Sequence, residues 1–468
     1  MSKYHSIVSR RDFMKGLGLA GAGLGAAAAT APVFHDLDEV VSSSVPVKHP
    51  WWVKNLEHGT ATVEIDWSQV VRTDMTKINR FPYRNSQAPS AVYNREHYDE
   101  LVKARINQAS PDWNGDDTRD MALNGAAGAI RFYNFYRPAD KTAYLGLQKV
   151  STPESRGQAK WQGTPEENLR MLRSAGKFFG AMDVAVLEID DNIKKLFFAK
   201  QGNGKEYVWE NVDQAYETDT KTVIPNKCKW LVVWTEVQAT ELTLREPSNL
   251  GRSATSMSYT HIPRIFVQFQ EFGRGLGYQI LGGGTGDFAP SNPIGALSGM
   301  GEHSRMCFPL ISPAFGSMIR GMNRMVTDLP LAPTNPVDAG ISRFCLTCKI
   351  CAEDACTFGA LPTVDPEWQS TWDEPLDYDP PGWKGWRLHT HKCSNCAACQ
   401  GGCPFNSTKD AWIHEIVLAT QATTPIFNGF FAQMERTFGY GIKDPQSWWD
   451  LDSPSLNGVA ANFIERKI

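Results

Sequence analysis

Eight of the ten cysteines stand in two short runs, Cys345-x2-Cys348-x2-Cys351-x4-Cys356 and Cys393-x2-Cys396-x2-Cys399-x3-Cys403, the second followed by Pro404. An iron–sulfur cluster needs four thiolates on a short, turning backbone. In the C-x2-C-x2-C-x3-C-P pattern three cysteines serve one cluster and the fourth serves its neighbour. Two such runs predict two [4Fe–4S] clusters in a ferredoxin-like module. The first run departs by an added residue before Cys356 and by Thr357 in the proline position. Zinc is the competing reading, but structural zinc sites carry two pairs at longer spacing. Cys228 and Cys307 lie outside the runs and are expected to pack as small buried groups. His389 and His391 precede the second run, and local hydrogen bonding is their expected role, since the runs already supply eight ligands.

The elements that deliver these residues begin with a segment outside the fold. Ser9-Arg10-Arg11-Asp12-Phe13-Met14-Lys15 precedes a weakly apolar, Gly/Ala-rich stretch from Gly16 to Ala31. This pattern predicts a twin-arginine export signal over residues 1–31. Exported cysteines ordinarily become disulfides. The twin-arginine route carries proteins already folded around their cofactors, so signal and cysteine runs support one another. Removing residues 1–31 takes the formal charge from −4 to −7. No basic nucleic-acid footprint is present, so no nucleic acid is expected as a partner. No other run reaches the roughly 18–20 apolar residues of a membrane span.

Residues 33–163 read as a polar, aromatic wrapping region with short helical stretches such as Arg95–Gln108. At Thr164-Pro165-Glu166-Glu167 a capping box with Pro at the first helical position predicts a helix. Val184–Ile189 and Lys229–Val237 read as strands, and 200–227 as an inserted polar excursion between them. Ile262–Leu276 reads as a helix that starts near Pro263 and closes at Gly277. Tyr278–Leu281, Phe308–Ser312 and Arg324–Leu329 are further strand candidates. Alternating helices and strands predict an α/β or α+β core over 164–333. Gly282–Gly286 either lets the backbone approach a cofactor closely or forms a plain loop. Pro330, Pro333 and Pro336 punctuate the passage into a cluster module over 334–406. A helical region over 407–468 follows. Its stripe of Phe427, Phe430, Phe431, Met434 and Phe438 is expected to face the core.

Several short motifs occur in order: the twin-arginine signal, Tyr259 after Ser-Ala-Thr-Ser-Met-Ser, Leu276-Gly277-Tyr278, Gly299-Met300-Gly301-Glu302, Ile311-Ser312-Pro313, Thr327-Asp328-Leu329-Pro330-Leu331 and the two cysteine runs. Together they resemble the respiratory reductive dehalogenases of organohalide-respiring bacteria, most closely the branch acting on chlorinated ethenes. The resemblance implies an α+β fold: a nitroreductase-like core burying a base-off corrinoid of cobalamin type, a ferredoxin-like module with two [4Fe–4S] clusters, and the N-terminal wrapping region. It implies reductive removal of halide from a small organohalide by cob(I)amide. It implies Tyr259 as proton donor and Arg320, which follows Phe315-Gly316, as the cation that stabilises its phenolate, with Arg305 as the less favoured candidate. Gly283, Gly284 and Thr285 fall where corrinoid or substrate contacts are expected. The implied partners are a small integral membrane anchor protein and an electron donor of the respiratory chain. The implied place is peripheral, on the outer face of the cytoplasmic membrane.

The physical requirement stands beside the resemblance. A free tyrosine has a pKa of about 10 and donates readily only if its phenolate is stabilised. A guanidinium within about 4–6 Å supplies that stabilisation. The alternatives are an enzyme resembling epoxyqueuosine reductase, which shares the corrinoid and two clusters but acts on tRNA without an export signal, and a non-catalytic electron carrier.

Overall fold

The computed structural model describes residues 49–78, 118–128, 143–284, 287–373, 376, 378–390, 392–393, 395–407, 412–438, 441–452 and 455–459. The twin-arginine segment, Arg95–Gln108, Thr285 and His391 lie outside the described residues. The strands in chain order are β1 Lys54–Asn55, β2 Asp183–Glu188, β3 Glu206–Glu210, β4 Tyr216–Glu217, β5 Lys221–Pro225, β6 Trp230–Val237, β7 Ile280–Leu281, β8 Ile319–Thr327 and β9 Val337–Asp338. The central sheet runs β2-β6-β8-β7, with every neighbouring pair antiparallel. With helices packed against it, the architecture is α+β.

The sequence of β6 shows why it is central. Val232 and Trp234 join one apolar cluster and Leu231 and Val233 join another, so both faces of the strand are covered. On the first face lie the helix Pro165–Phe179, through Leu169 and Leu172, and the helix Asn249–Leu276, through Ile265, Phe266 and Phe269. Thr164 caps the former, and Thr164 and Glu167 complete the expected capping box.

Four expectations are corrected. The helix read as Ile262–Leu276 begins at Asn249, where the Ser248 hydroxyl accepts from the Gly251 N–H; Pro263 lies inside it. Packing of Leu250 and Ala254 extends the helix upstream of the proline. The excursion 200–227 is not merely polar. It holds β3, β4 and β5 as a second sheet, and Tyr207 and Ile224 insert into the main core. Phe308–Ser312 is not a strand; it forms the isolated bridges Glu302–Ile311 and Ser312–Gly316 around a cis Phe308–Pro309 bond. The strand read from Arg324 starts at Ile319 and so includes Arg320.

Around the cysteines a third cluster forms, with Phe344, Trp386 and Phe405 packing among Cys345, Cys348, Cys351 and Cys403. The helix Asn428–Phe438 covers this region. Phe431 packs against the cluster while Phe430 stays exposed, so the aromatic stripe faces the core only in part. Among the described residues no helix is long and apolar enough to cross a membrane.

Candidate active site and thiol centres

The site is built where the central sheet breaks register. Pairing of β6 with β8 shifts between Trp234 and Glu236, a β-bulge. Thr235 fills it, its hydroxyl donating to the Gly321 carbonyl at 2.7 Å. Gly321 takes a left-handed φ of 70°, and a Cβ there would stand 2.8 Å from the Asn323 amide. Bulges beside active sites re-aim side chains. Here the neighbour re-aimed is Arg320, which leaves the sheet toward the helix Asn249–Leu276.

Arg320 is buried and held by neutral side-chain acceptors. Its Nε donates to Gln238 Oε1 at 2.7 Å, and its Nη2 donates to Thr255 Oγ1 at 3.1 Å and Gln400 Oε1 at 2.9 Å. The guanidinium carbon lies 5.8 Å from the centre of the Tyr259 ring. Thr255 and Tyr259 are four residues apart on one helix, so they share a face. Pro263 has no N–H and therefore cannot supply the i→i−4 helical bond to the Tyr259 carbonyl. Arg305, the rival cation, is wholly buried elsewhere. It donates to the carbonyls of Cys345, Leu346, Pro362 and Val364 and stacks on Trp386 at 4.9 Å.

Tyr259 lines a cavity of ≈490 Å³, within the usual range for small-molecule and cofactor sites. One wall comes from the N-terminal segment, including Val63, Ile65 and Trp67. Others come from Pro290–Pro293, Gly321, Arg324 and the stretch Tyr378–Thr390. Two buried polar atoms of lining residues lack protein partners, Asn292 Oδ1 and Thr390 Oγ1. Burial lowers the Arg324 guanidinium to about 10, with Asp287, Tyr207 and Tyr378 opposing that drop. Buried His303, also on the wall, is lowered to about 4 by desolvation and then by Arg387.

Gly283 and Gly284 are not among the cavity's walls. Their N–H groups donate to Asp287 Oδ2 at 2.9 and 2.8 Å, closing the glycine turn on itself.

The eight run cysteines fall into two groups close enough for their charges to repel. Cys351 and Cys403 feel Cys345 and Cys348, and Cys399 feels Cys356, Cys393 and Cys396, with Cys351 also feeling Cys399 between the two groups. The fourth cysteine of each run thus sits with the other run's first three. Burial, then mutual repulsion, lifts Cys345 to about 12. Such thiols become thiolates only against a strongly cationic group. Among the described residues no group of three Cys, His, Asp or Glu side chains is arranged to hold a single metal ion. The two cysteine runs fit iron–sulfur clusters. Cys228 and Cys307 are buried; the Cys307 thiol lies 3.2 Å from the Arg305 carbonyl. His389 is buried and meets the Trp372 ring edge-on at 5.0 Å.

Two residues stitch the thiol centre to the site. Glu302, within the Gly-Met-Gly-Glu motif, accepts from the backbone N–H groups of Ala339, Ile341 and Ser342, fixing the start of the helix Ile341–Thr347 that carries Cys345. Gln400, between Cys399 and Cys403, accepts from Arg320 and donates to the Ser317 carbonyl at 2.6 Å. Gly316, with φ of 59°, lies so close to the Phe405 carbonyl that a Cβ would meet it at 2.4 Å. Sequence reading missed Gln238, Gln400 and the N-terminal wall. Alternation of Val63, Ile65 and Trp67 was the available sign of the wall.

The reductive dehalogenase subunit model matches residues 48–331. The trichloroethene reductive dehalogenase of Dehalococcoides mccartyi is 32% identical, covering 99% of this chain and 100% of that one. The chloroethene reductive dehalogenase of D. mccartyi strain VS is 35% identical over 97% and 98% of the two chains. The solved catabolic reductive dehalogenase NpRdhA matches with a TM-score of 0.57 at 17% identity, covering 87% of this chain, which spans about half (52%) of that protein's length. The chain belongs to the reductive dehalogenase family. It is by that membership an oxidoreductase acting on carbon–halogen bonds.

Proposed function

We propose that this protein is a respiratory reductive dehalogenase that removes halide from small chlorinated hydrocarbons, with a base-off corrinoid in the ≈490 Å³ cavity and two [4Fe–4S] clusters on the crossed thiol groups. In this reading residues 164–333 form a nitroreductase-like core and 334–406 a ferredoxin-like module. The fit of the cavity rests on its apolar walls, which suit a large ring, and on the unpartnered atoms of Asn292 and Thr390, which suit its amide side chains. When bound, the corrinoid supplies a strongly reducing cobalt centre for carbon–halogen cleavage. Chlorinated ethenes are the first substrates to test, because two relatives carry trichloroethene and chloroethene in their names.

The chain's own part is proton delivery and charge control. Tyr259 donates the proton at the cavity wall. Arg320, held by neutral oxygens rather than by a carboxylate, keeps its positive charge available to the phenolate. The single observation that carries this reading is Tyr259 on the cavity wall with Arg320 against its ring, the arginine tied through Gln400 to the second cysteine run. A bare electron carrier has no use for that arrangement. The twin-arginine motif supports export to the outer face of the cytoplasmic membrane, with peripheral attachment through a small integral membrane protein and electrons from a respiratory donor. Purified protein should contain about eight iron atoms and one cobalt per chain and dechlorinate members of a panel of chloroethenes, chloroalkanes and chlorobenzenes. Absence of cobalt would restore the electron-carrier reading.

A further inference from the structure

Tyr259 and Arg324 line the same cavity from opposite faces of the central sheet. The helix that carries Tyr259 packs on the face of Val232 and Trp234. Arg324 stands opposite Val233 in the β-ladder, and directly opposed residues share a face, here the one whose cluster holds Leu231 and Val233. Among the described lining residues there is no Asp or Glu, but there are two arginines. Arg387 is spent: Nε donates to Asp379 Oδ1 at 2.5 Å, and the Nη atoms donate to four backbone carbonyls. Arg324 is only 2% exposed. Its Nε donates to the Asp287 carbonyl at 2.8 Å, and its Nη1 to Ser291 Oγ at 2.9 Å and the Met322 carbonyl at 2.6 Å. Among the described residues its Nη2 meets no acceptor, and no carboxylate comes within ion-pair distance. Asp287 acts on Arg324 from farther off, its Oδ2 accepting from the Gly283 and Gly284 N–H groups. Burial lowers the guanidinium only to about 10, so it is charged at neutral pH. Ser291 lines the cavity too, and since its oxygen accepts from Arg324, its O–H is left to donate. A buried cation with an open N–H beside a hydroxyl donor calls for an anion.

We infer that Arg324 and Ser291 dock the phosphodiester of the corrinoid's nucleotide tail. The inference rests on the corrinoid reading of this cavity. A complete corrinoid carries its lower base on a tail joined through a phosphodiester, which bears one negative charge. In the base-off form that tail swings away from cobalt, so its phosphate belongs far from the chemistry. Arg324 meets that condition: it lies four residues beyond Arg320, about 13 Å along a strand, and on the sheet face away from the Tyr259 helix. The other anion of turnover, the halide, forms beside the carbon that takes the Tyr259 proton, at the opposite end of the cavity.

The test uses full-length, cluster-loaded protein produced without corrinoid, titrated with three corrinoids and followed by visible absorbance. Cobinamide lacks the tail phosphate, cobinamide phosphate carries it without the base, and cobalamin carries the whole tail. Wild type should bind the two phosphate-bearing corrinoids about tenfold or more tighter than cobinamide, as one charge-assisted hydrogen bond contributes. In Arg324→Gln that advantage should vanish while cobinamide affinity stays unchanged. Ser291→Ala keeps the guanidinium and should lose part of the same advantage, which covers the case of Arg324→Gln failing to fold. Equal affinity for all three corrinoids in the wild type overturns the inference, as does a full phosphate advantage kept in either variant. So does a variant that loses affinity for all three alike, the mark of a merely structural role. Uptake of none of the three by wild type refutes the corrinoid reading itself, and this placement falls with it.

Discussion

Arg305 and Arg320 are both buried guanidiniums, yet they are held in opposite ways. Arg305 donates to four backbone carbonyls, those of Cys345 and Leu346 in the helix Ile341–Thr347 and those of Pro362 and Val364, and is covered by Trp386. Arg320 is held by two side-chain amides and a hydroxyl, with its face toward a phenol at the cavity wall. The first arrangement spends its donors on backbone carbonyls, holding the helix that carries Cys345 against the segment Pro362–Val364. The second leaves the charge directed at a group that changes charge. Surroundings, rather than residue type, separate a scaffold arginine from an electrostatic one.

The comparison breaks first at the thiol centre. Cys403→Ala should remove a ligand from the group containing Cys345, Cys348 and Cys351, abolish activity and lower iron from about eight atoms to about four per chain. Cys228→Ala should leave iron unchanged. Cys403→Ala retaining all its iron would show that the crossed grouping is wrong.

Arg305→Ala strands buried carbonyls, each at a cost of about 1–3 kcal/mol. The protein should lose iron during purification and unfold at lower temperature. Arg305→Lys should behave almost as badly, because an ammonium lacks the planar fork that spans both segments. Arg320→Ala should instead keep its iron and lose dehalogenation. Metal content and activity measured side by side separate the two roles.

Gln400→Leu removes one acceptor from Arg320 and should lower kcat about tenfold, roughly the 1.4 kcal/mol expected of one charge-assisted hydrogen bond. Gln400→Glu places a carboxylate on the guanidinium and should do more harm, by neutralising the charge that the phenolate needs. A Gln400→Glu variant faster than Gln400→Leu would contradict that account. The smallest expected effect is on stability. His303 is neutral in the fold down to about pH 4, whereas an unfolded histidine binds a proton near 6.5. The unfolded state therefore takes up protons first, and stability falls as pH drops from 6.5 to 4. Denaturant midpoints for the wild type and His303→Gln should converge across that window.

The two regions also differ in how far the sequence discloses them. Cluster ligands are neighbours in sequence, so spacing alone marks all eight. Tyr259 and Arg320 came from ordered motifs, and nothing in either residue's own neighbourhood shows that a bulge at Thr235 turns Arg320 toward the helix. Gln238, Gln400 and the wall from Val63 to Trp67 become functional only through tertiary contact. Pro263 was mistaken for a helix start because its fixed φ suits a first turn. Ser248, with a true capping bond to Gly251, was the better sign. Gly283 and Gly284 look like a cofactor cradle, but their N–H groups are spent on Asp287.

The central claim is that Tyr259 supplies the proton. Tyr259→Phe keeps the ring and its packing while removing only the hydroxyl. Iron, cobalt and chloroethene turnover should be measured on one anaerobic preparation. The account predicts unchanged iron and cobalt with turnover reduced about 10²–10⁴-fold, the usual cost of losing a positioned acid. Full turnover to the same product, at full metal content, would contradict it.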